Sequence, residues 1–166
     1  MRQTTGSAGG TSLELVPFGR DTDPERFAAQ LAPGFGGDTE AAHEILAETC
    51  ALLIRDPRPH PWGAYLVRLN NRAIGLCAFK TAPTCDGEVE IAYMTFPDFQ
   101  GRGHATATIA ALVEIAEAEG VAPFALTLPE ENGSNTALRR NGFVYAGEVD
   151  DPDDGLVWRW EKGPGG

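Results

Sequence analysis

The sequence predicts a single domain of the α/β (α+β) class. Short apolar segments alternate with longer segments of helical periodicity, a pattern typical of a sheet with flanking helices. The pair Asn70-Asn71 separates two apolar segments and indicates an antiparallel hairpin, because Asn tolerates the left-handed dihedrals of a tight turn. A glycine-rich junction then joins a later strand directly to a helix. The predicted order is β-α-α-β-β-β-α-β-α-β-β.

The length and composition suit one domain with its own hydrophobic core. The chain has 166 residues, of which 42% are hydrophobic. We expect residues 1–12, rich in Gly, Ser and Thr, to form a flexible N-terminal tail. The domain is expected over residues 13–161, followed by a flexible C-terminal tail over residues 162–166.

The N-terminal part predicts one strand and two helices. "LELVPF" (residues 13–18) is the strand. A short helix is expected over residues 23–35, with Asp23 as its cap and Pro24 at its first position. "DTEAAHEILAETCALLIRD" (residues 38–56) predicts a longer helix with one apolar stripe. That stripe consists of Ala42, Ile45, Leu46, Thr49, Leu52 and Leu53.

The central part predicts a hairpin, a third strand and a helix. "AYLVRL" (residues 64–69) and "RAIGLCAFK" (residues 72–80) form the hairpin, and "EVEIAYMTF" (residues 88–96) is the next strand. Apolar residues then recur at helical spacing over residues 103–119. Gly120 ends that helix.

The C-terminal part predicts three strands and a short helix. "APFALTL" (residues 122–128) is a strand, and "SNTALRRN" (residues 134–141) is a short helix that stops before a glycine. "GFVYAGEV" (residues 142–149) and "GLVWRWE" (residues 155–161) form a closing antiparallel pair around an acidic turn. The two tryptophans of the last strand alternate with Arg159, which favours core packing for both of them.

Charge and cysteine content argue against several classes of function. The formal net charge is −11 and there is no basic run, so we expect no nucleic-acid partner. No apolar run approaches the ~18 residues of a membrane span, and we expect no secretory signal because "MRQTTGSAGGTS" lacks an apolar h-region. Cys50, Cys77 and Cys85 are odd in number and lack CxxC spacing, so neither a disulfide framework nor a zinc site is expected. We therefore expect a cytoplasmic protein without a metal.

The junction "QGRGHA" (residues 100–105) has the features of an anion site. The first backbone N–H groups of a helix have no partner within it, and its dipole is positive there. Gly101 and Gly103 allow close approach of a phosphate, and Arg102 adds a positive charge. On these residues alone, a tight strand-to-helix turn without a ligand stays an open alternative.

Two motifs in order carry a resemblance to a known family. Gln100, Gly103 and Ala105 fill the fixed places of the acyl-CoA-binding signature Gln/Arg-x-x-Gly-x-Gly/Ala of the GCN5-related N-acetyltransferases (GNAT). "ENGSNTALRRNGF" (residues 131–143) resembles the second cofactor motif of that superfamily. The spacing from Ser134 onward is similar to the RimJ/RimL-like branch, which acetylates the N-termini of ribosomal proteins. The resemblance covers about residues 13–161.

The resemblance implies a GNAT fold, a mixed central sheet splayed between its fourth and fifth strands with flanking helices. It implies acetyl-CoA in the resulting cleft, with its pyrophosphate on the amides of residues 101–105 and its pantetheine arm along residues 93–95. The cofactor-binding residues implied in this way are Tyr93, Met94, Thr95, Gln100, Gly101, Arg102, Gly103, His104, Ala105, Asn132, Ser134 and Asn135.

Direct attack of an amine on a thioester calls for a base and an acid. Glu90 lies on the strand before the expected thioester position and is our candidate base, with Glu88 as the alternative. Many family members protonate the leaving thiolate with a Tyr, and that place is occupied here by Leu138. Tyr93 and Tyr145 are the remaining candidates for this acid, and Tyr93 is the one we favour.

The resemblance implies an N-acetyltransferase that moves an acetyl group from acetyl-CoA to a primary amine of a small molecule or a protein N-terminus. The alternative is a catalytically silent acyl-CoA-binding or sensing module on the same fold. We expect the acceptor pocket to come from residues 33–42 and 57–64, where Trp62 either lines the pocket or anchors a loop. The expected assembly is a monomer or a homodimer.

Overall fold

A mixed sheet with helices packed on it forms the protein in this computed structural model. The structure describes residues 5–8, 11–19, 23, 29 and 31–164. Its strands are β1 (Thr5–Ala8), β2 (Thr11–Phe18), β3 (Ala64–Leu69), β4 (Arg72–Phe79), β5 (Glu88–Thr95), β6 (Ala122–Thr127), β7 (Phe143–Asp151) and β8 (Gly155–Lys162). Its helices are α1 (Thr39–Arg55), α2 (His104–Ala118) and α3 (Gly133–Arg140), with short 3₁₀ helices at Ala32–Phe35 and Pro97–Phe99.

The described strands form one sheet in the order β1-β2-β3-β4-β5-β6-β8-β7. All neighbours are antiparallel except β5 and β6, which are parallel. Pairing between β5 and β6 runs from Glu88↔Ala122 to Ile91↔Ala125 and stops there, although both strands continue. Because the sequence does not predict β1, the strands β5 and β6 correspond to the fourth and fifth predicted strands. The mixed sheet and its splay at that place are therefore confirmed.

The N-terminal strand β1 is not predicted from the sequence. It lies within residues 1–12, the segment predicted to be a flexible tail, and pairs antiparallel with β2 from Thr5↔Glu14 to Ala8↔Thr11. A short polar strand gives little signal in the sequence, because its order comes from the neighbouring edge and not from its own apolar periodicity. The helix predicted over residues 23–35 lies largely outside the described residues, and its end is the 3₁₀ helix Ala32–Phe35. At the other terminus, β8 extends to Lys162.

The hairpin between β3 and β4 has the predicted turn. Asn70 and Asn71 have φ values of 49° and 65°, so both adopt the left-handed conformation that a two-residue hairpin turn requires. The following strand, β5, shows alternating burial along its first half, with Val89 and Ile91 in the core. They share that core with Ile109 and Leu112 of α2, which places α2 on this face of the sheet.

The apolar stripe of α1 is only partly as expected. Ala42 and Leu46 are buried, but Cys50 continues the buried face and Leu52 is 50% exposed. At 100° per residue, a face centred on Leu46 leaves Leu52 about a third of a turn away. Trp160 of β8 is buried as predicted, and its Nε1 donates to Thr127 Oγ1 at 3.0 Å.

Gly75 of β4 lies against the backbone of β5, and we expect a side chain there to be destabilising. A Cβ atom at Gly75 would approach the carbonyl oxygen of Met94 to 2.3 Å, which forces the strands apart. We expect Gly75→Ala to lower the free energy of unfolding by about 1–3 kcal/mol, the usual cost of overpacking. Chemical denaturation measures this change.

The matched control for that measurement is Gly63→Ala. A Cβ atom at Gly63 meets nothing within 4 Å, so we expect a change within about 0.5 kcal/mol. Equal effects of the two substitutions would contradict the close approach of β4 to Met94.

Candidate active site

A cavity of about 230 Å³ opens where β5 and β6 diverge. Its walls come from the ends of these strands, from the start of α3, from the end of β4 and from the β7–β8 hairpin. The lining residues are Lys80, Glu90, Ile91, Ala92, Tyr93, Leu126, Thr127, Leu128, Ser134, Asp154 and Val157. Successive side chains of a strand point to opposite faces, so Glu90 and Tyr93 reach this cavity from opposite sides of the sheet.

On the side of α2 and α3, a phenol and a hydroxyl are paired. The hydroxyl of Tyr93 lies 2.6 Å from Oγ of Ser134, in the first turn of α3. Asn132 caps this helix, since its side chain accepts from the backbone N–H groups of Ser134 and Asn135. Burial raises the pKa of Tyr93, and the hydrogen bond with Ser134 opposes that shift. Tyr93 is therefore protonated at neutral pH and can act as a proton donor.

On the opposite side of the sheet, a carboxylate and an ammonium form an ion pair. Nζ of Lys80 lies 3.0 Å from Oε1 of Glu90, whose side chain is only 13% exposed. Burial lowers the pKa of Lys80, but the hydrogen bond and charge of Glu90 outweigh it, with help from Asp151 and Asp154, so the pKa is raised. Lys80 is thus positively charged at neutral pH and holds a carboxylate beside the cavity.

Glu88, the alternative base, belongs to a different set of contacts. Its Oε1 accepts from Arg159 at 2.9 Å, and Arg159 also pairs with Glu161 at 2.7 Å. The same guanidinium stacks over the ring of Phe124, 3.9 Å from its centroid. Glu88 is absent from the residues that line the cavity, so of these two carboxylates only Glu90 lies there.

The glycine loop before α2 presents an open helix N-terminus. Gly101 and Gly103 have φ values of 75° and 81°, which a residue with a side chain adopts only with strain. A Cβ atom at either position would meet nothing within 4 Å, and no side chain caps the helix. Nε2 of Gln100 donates to the carbonyl of Thr95 at 3.0 Å and ties this loop to the end of β5.

The charge of this loop comes from its amides and from Arg102. Burial and the nearby guanidinium of Arg102 lower the pKa of His104, the first residue of α2. The imidazole is therefore neutral at neutral pH, and an anion at this loop interacts mainly with backbone dipoles and with Arg102.

The structure gives several predicted residues structural partners instead of a position on the cavity. Asn135 is fully buried, and its Nδ2 donates to the carbonyl of Glu130 at 2.8 Å. Leu138, at the place of the family's Tyr, is also fully buried in the core. Tyr145 is 50% exposed on β7 and packs edge-on against two tryptophans. Trp62 packs against Phe79 with ring centroids 5.0 Å apart, so it anchors a loop.

Sequence reasoning does not find Lys80 or Asp154 as cavity residues. The position of Lys80 follows from the register of the sheet, because its backbone N–H donates to the carbonyl of Glu90 at 2.9 Å across the β4–β5 pair. Asp154 reaches the cavity from the β7–β8 turn. The expected acceptor segments, residues 33–42 and 57–64, contribute no side chain to this cavity. One signal in the sequence could have drawn attention to Lys80. Lysine is rare in this chain, which contains only Lys80 and Lys162.

Comparison with known families decides the classification. Residues 13–144 match the family model of the acetyltransferase (GNAT) domain. The chain belongs to the GNAT family. The resemblance found in the two cofactor motifs is thereby confirmed, and no curated protein sequence matches the chain.

Several solved structures share the fold over nearly the whole chain. An acetyltransferase from Salmonella typhimurium that modifies the N-terminal serine of ribosomal protein L7/L12 is 19% identical, with a TM-score of 0.66 over 95% of this chain and 98% of its own. RimJ of Mycobacterium smegmatis, in complex with CoA-disulfide, is 18% identical, with a TM-score of 0.67 over 96% and 84%. The microcin C7 self-immunity acetyltransferase MccE, with acetyl-CoA and AMP, is 13% identical, with a TM-score of 0.67 over 93% of each chain.

Within residues 5–8, 11–19, 23, 29 and 31–164, no helix is both long and apolar enough to cross a membrane. The same part of the chain contains no group of three or more His, Cys, Asp or Glu side chains arranged to hold a metal ion.

We expect Ser134→Ala to raise the pKa of Tyr93 further. The hydrogen bond with Ser134 lowers this pKa, because a hydroxyl donor stabilises the phenolate, and its loss leaves burial unopposed. Titration of phenolate absorbance at alkaline pH measures the shift, with Tyr93→Phe identifying the signal. Thr136→Ala removes an exposed hydroxyl from the same helix and should leave the titration unchanged. A titration of Tyr93 that is the same in Ser134→Ala and in the unmodified protein would contradict the pairing.

Proposed function

We propose that the protein is an acetyl-CoA-dependent N-acetyltransferase in which a primary amine attacks the thioester directly. The observation that carries this proposal is the cavity at the splay, with Tyr93 and Ser134 on one side of the sheet and Glu90 on the other. Direct transfer needs two groups. A proton donor serves the leaving thiolate, and a carboxylate takes a proton from the incoming ammonium. Membership of the GNAT family supports the same chemistry.

The residues of the α2 side fit acetyl-CoA. The open amides of residues 101–105 suit a pyrophosphate, because they combine a helix N-terminus with left-handed glycines and an adjacent Arg102. Beyond Ile91 the backbone of β5 has no strand partner on its β6 side, so residues 93–95 can pair with an amide-bearing arm. Ser134 is the residue of the second motif that lines the cavity.

The chain's own residues would handle the protons. Acetyl-CoA supplies an acetyl group that is activated as a thioester. Glu90 accepts a proton from the acceptor ammonium, either directly or through a water, and so produces the neutral amine. The hydroxyl of Tyr93, oriented by Ser134, donates to the sulfur as it leaves. The ammonium of the acceptor takes the place of Lys80 beside Glu90, because the Lys80 side chain is 41% exposed and can move aside.

The acceptor is a small-molecule amine or a protein N-terminus. Glu90 and Asp154 give the acceptor side of the cavity a negative balance against Lys80 alone, which suits an ammonium group. The test is a panel of amines, namely aminoglycosides, polyamines, amino acids and peptides with free N-termini, with CoA thiol release as the readout. Acetylation of at least one amine supports an enzyme. CoA binding by calorimetry without any transfer would instead support a silent acyl-CoA-binding module.

We expect Gly103→Val to weaken CoA binding by about 10²-fold or more while leaving the fold intact. Charge-assisted hydrogen bonds contribute about 1.5–3 kcal/mol each. A valine at this position strains the loop, so several backbone amides lose their hydrogen bonds to the pyrophosphate at once. Calorimetry with CoA measures the affinity. Gly120→Val is the matched control, because its φ of 73° and its open surroundings impose the same strain at the other end of α2. Normal CoA binding by Gly103→Val would show that this loop does not hold the pyrophosphate.

We expect Glu90→Gln to lower turnover by about 10²-fold, within the usual range for the loss of a general base. Glutamine keeps the size of the side chain but cannot accept the proton, so the acidic limb of the pH–rate profile should flatten. CoA release across a pH series, with the best amine of the panel, gives both quantities. Glu88→Gln on the same strand should change turnover little, because Glu88 pairs with Arg159 away from the cavity. A larger effect at Glu88 would reverse the assignment.

A further inference from the structure

Lysine is rare in this chain, and one of its two lysines faces the reaction cavity. Of 13 basic residues, only Lys80 and Lys162 are lysines, and the remainder are arginines. Nζ of Lys162 donates to the carbonyl of Asn141 at 2.8 Å, at the end of β8. Lys80 lines the cavity together with Glu90 and Tyr93. The two primary amines of these side chains therefore have very different surroundings.

The amine of Lys80 stands where an acceptor amine is expected. It is 3.0 Å from Oε1 of Glu90, the carboxylate to which we assign the deprotonation of the acceptor. Pairing of β4 with β5 fixes this arrangement, because the backbone of Lys80 donates to the carbonyl of Glu90. The side chain is 41% exposed, so its flexible stem is free to swing across the opening.

We propose that Lys80 is an internal acceptor, which the protein acetylates on Nζ with its own acetyl-CoA when no external amine occupies the cavity. This inference rests on the proposed function. It assigns a modification site to a residue that the transfer reaction itself does not require. Acetylation removes the positive charge that faces Glu90, and it places an amide in the space for the acceptor.

The proposed step balances in atoms and charge. Glu90 takes one proton from the Lys80 ammonium, and the neutral Nζ attacks the carbonyl carbon of the thioester. A C–N bond forms and the C–S bond breaks, and the sulfur leaves with its electron pair. The sulfur takes a proton from the Tyr93 hydroxyl and becomes CoA thiol. The second proton lost by Nζ passes to solvent, and solvent returns a proton to Tyr93. The products are N-acetyl-lysine and free CoA, and the proton on Glu90 passes to solvent.

The charges around Lys80 set the pH dependence of this step. Glu90 on β5, Asp151 on β7 and Asp154 in the β7–β8 turn all favour the ammonium form, so they raise the pKa of Lys80 against the effect of burial. The neutral, nucleophilic fraction is small at neutral pH and grows about tenfold per pH unit below the pKa. Acetylation of Lys80 should therefore be slow at neutral pH and faster at alkaline pH.

The test uses the full chain with acetyl-CoA and no acceptor, followed by cleavage at arginine and mass spectrometry. Cleavage at Arg72 and Arg102 gives one peptide that contains Lys80 in either state. We expect one added acetyl group on this peptide, at a rate more than about tenfold above that of Lys162, because proximity to bound thioester acts on Lys80 alone. Lys80→Gln, which adds no cleavage site at arginine, should abolish the acetylation of this peptide, and Gly103→Val should reduce it to the rate of Lys162.

The outcomes separate this inference from the proposed function. If acetyl-CoA binds in calorimetry but Lys80 stays unmodified, the inference of an internal acceptor is overturned. The proposed function is not affected by that result. Equal acetylation of Lys80 and Lys162, or equal rates in heat-denatured protein, also overturns it, because simple solution chemistry then accounts for the product. Absence of acetyl-CoA binding overturns both the internal acceptor and the proposed function.

A second readout needs no acetyl-CoA. The pKa of the Lys80 amine, followed by NMR of the ε-amine, should fall in Glu90→Gln, because the carboxylate that stabilises the ammonium is lost. Glu88→Gln is the matched control and should leave this pKa unchanged. An unchanged pKa in Glu90→Gln would contradict the contact between Lys80 and Glu90 on which the inference depends.

Discussion

The end of the parallel pairing between β5 and β6 is the constraint on which the rest of the site depends. Each strand is held by a different neighbour: Gly75 lets β4 approach the carbonyl of Met94, and Trp160 of β8 donates to Thr127 of β6. The ladder between β5 and β6 stops at Ile91↔Ala125. Beyond it β5 stays paired with β4 and β6 with β8, so backbone groups of both strands lack a strand partner across the splay. The cavity at this point is thus a consequence of strand pairing and not of a loop.

Strand alternation gives the two sides of that opening different chemistry. Glu90 and Tyr93 are three positions apart on β5, an odd spacing that sends them to opposite faces. The side of α2 and α3 holds two neutral hydroxyl groups, those of Tyr93 and Ser134. The opposite side holds the charged pair of Lys80 and Glu90. A leaving sulfur and an incoming ammonium have opposite requirements, and one rigid strand can meet both.

The sequence predicts the features that depend on local conformation, and it misses those that depend on register. The Asn70-Asn71 turn follows from backbone sterics at single residues, and so do the glycines of residues 101–103. The contact of Tyr93 with Ser134 joins residues 41 positions apart, and it requires the placement of α3 on the sheet. The burial of Leu138 likewise depends on which face of α3 meets the core. The fold was therefore predictable, whereas the partners within the site were not.

A lysine at position 80 suits a site where an acceptor ammonium has to displace the resident cation from Glu90. Every other ion pair among the described residues uses arginine, whose planar fork holds carboxylates at two points and keeps its charge. An arginine at position 80 would hold Glu90 firmly and compete with any acceptor ammonium. Lysine offers a point charge on a flexible stem, so it neutralises Glu90 and exchanges readily for a second ammonium. The same property leaves a primary amine within reach of the reaction, which an arginine would not.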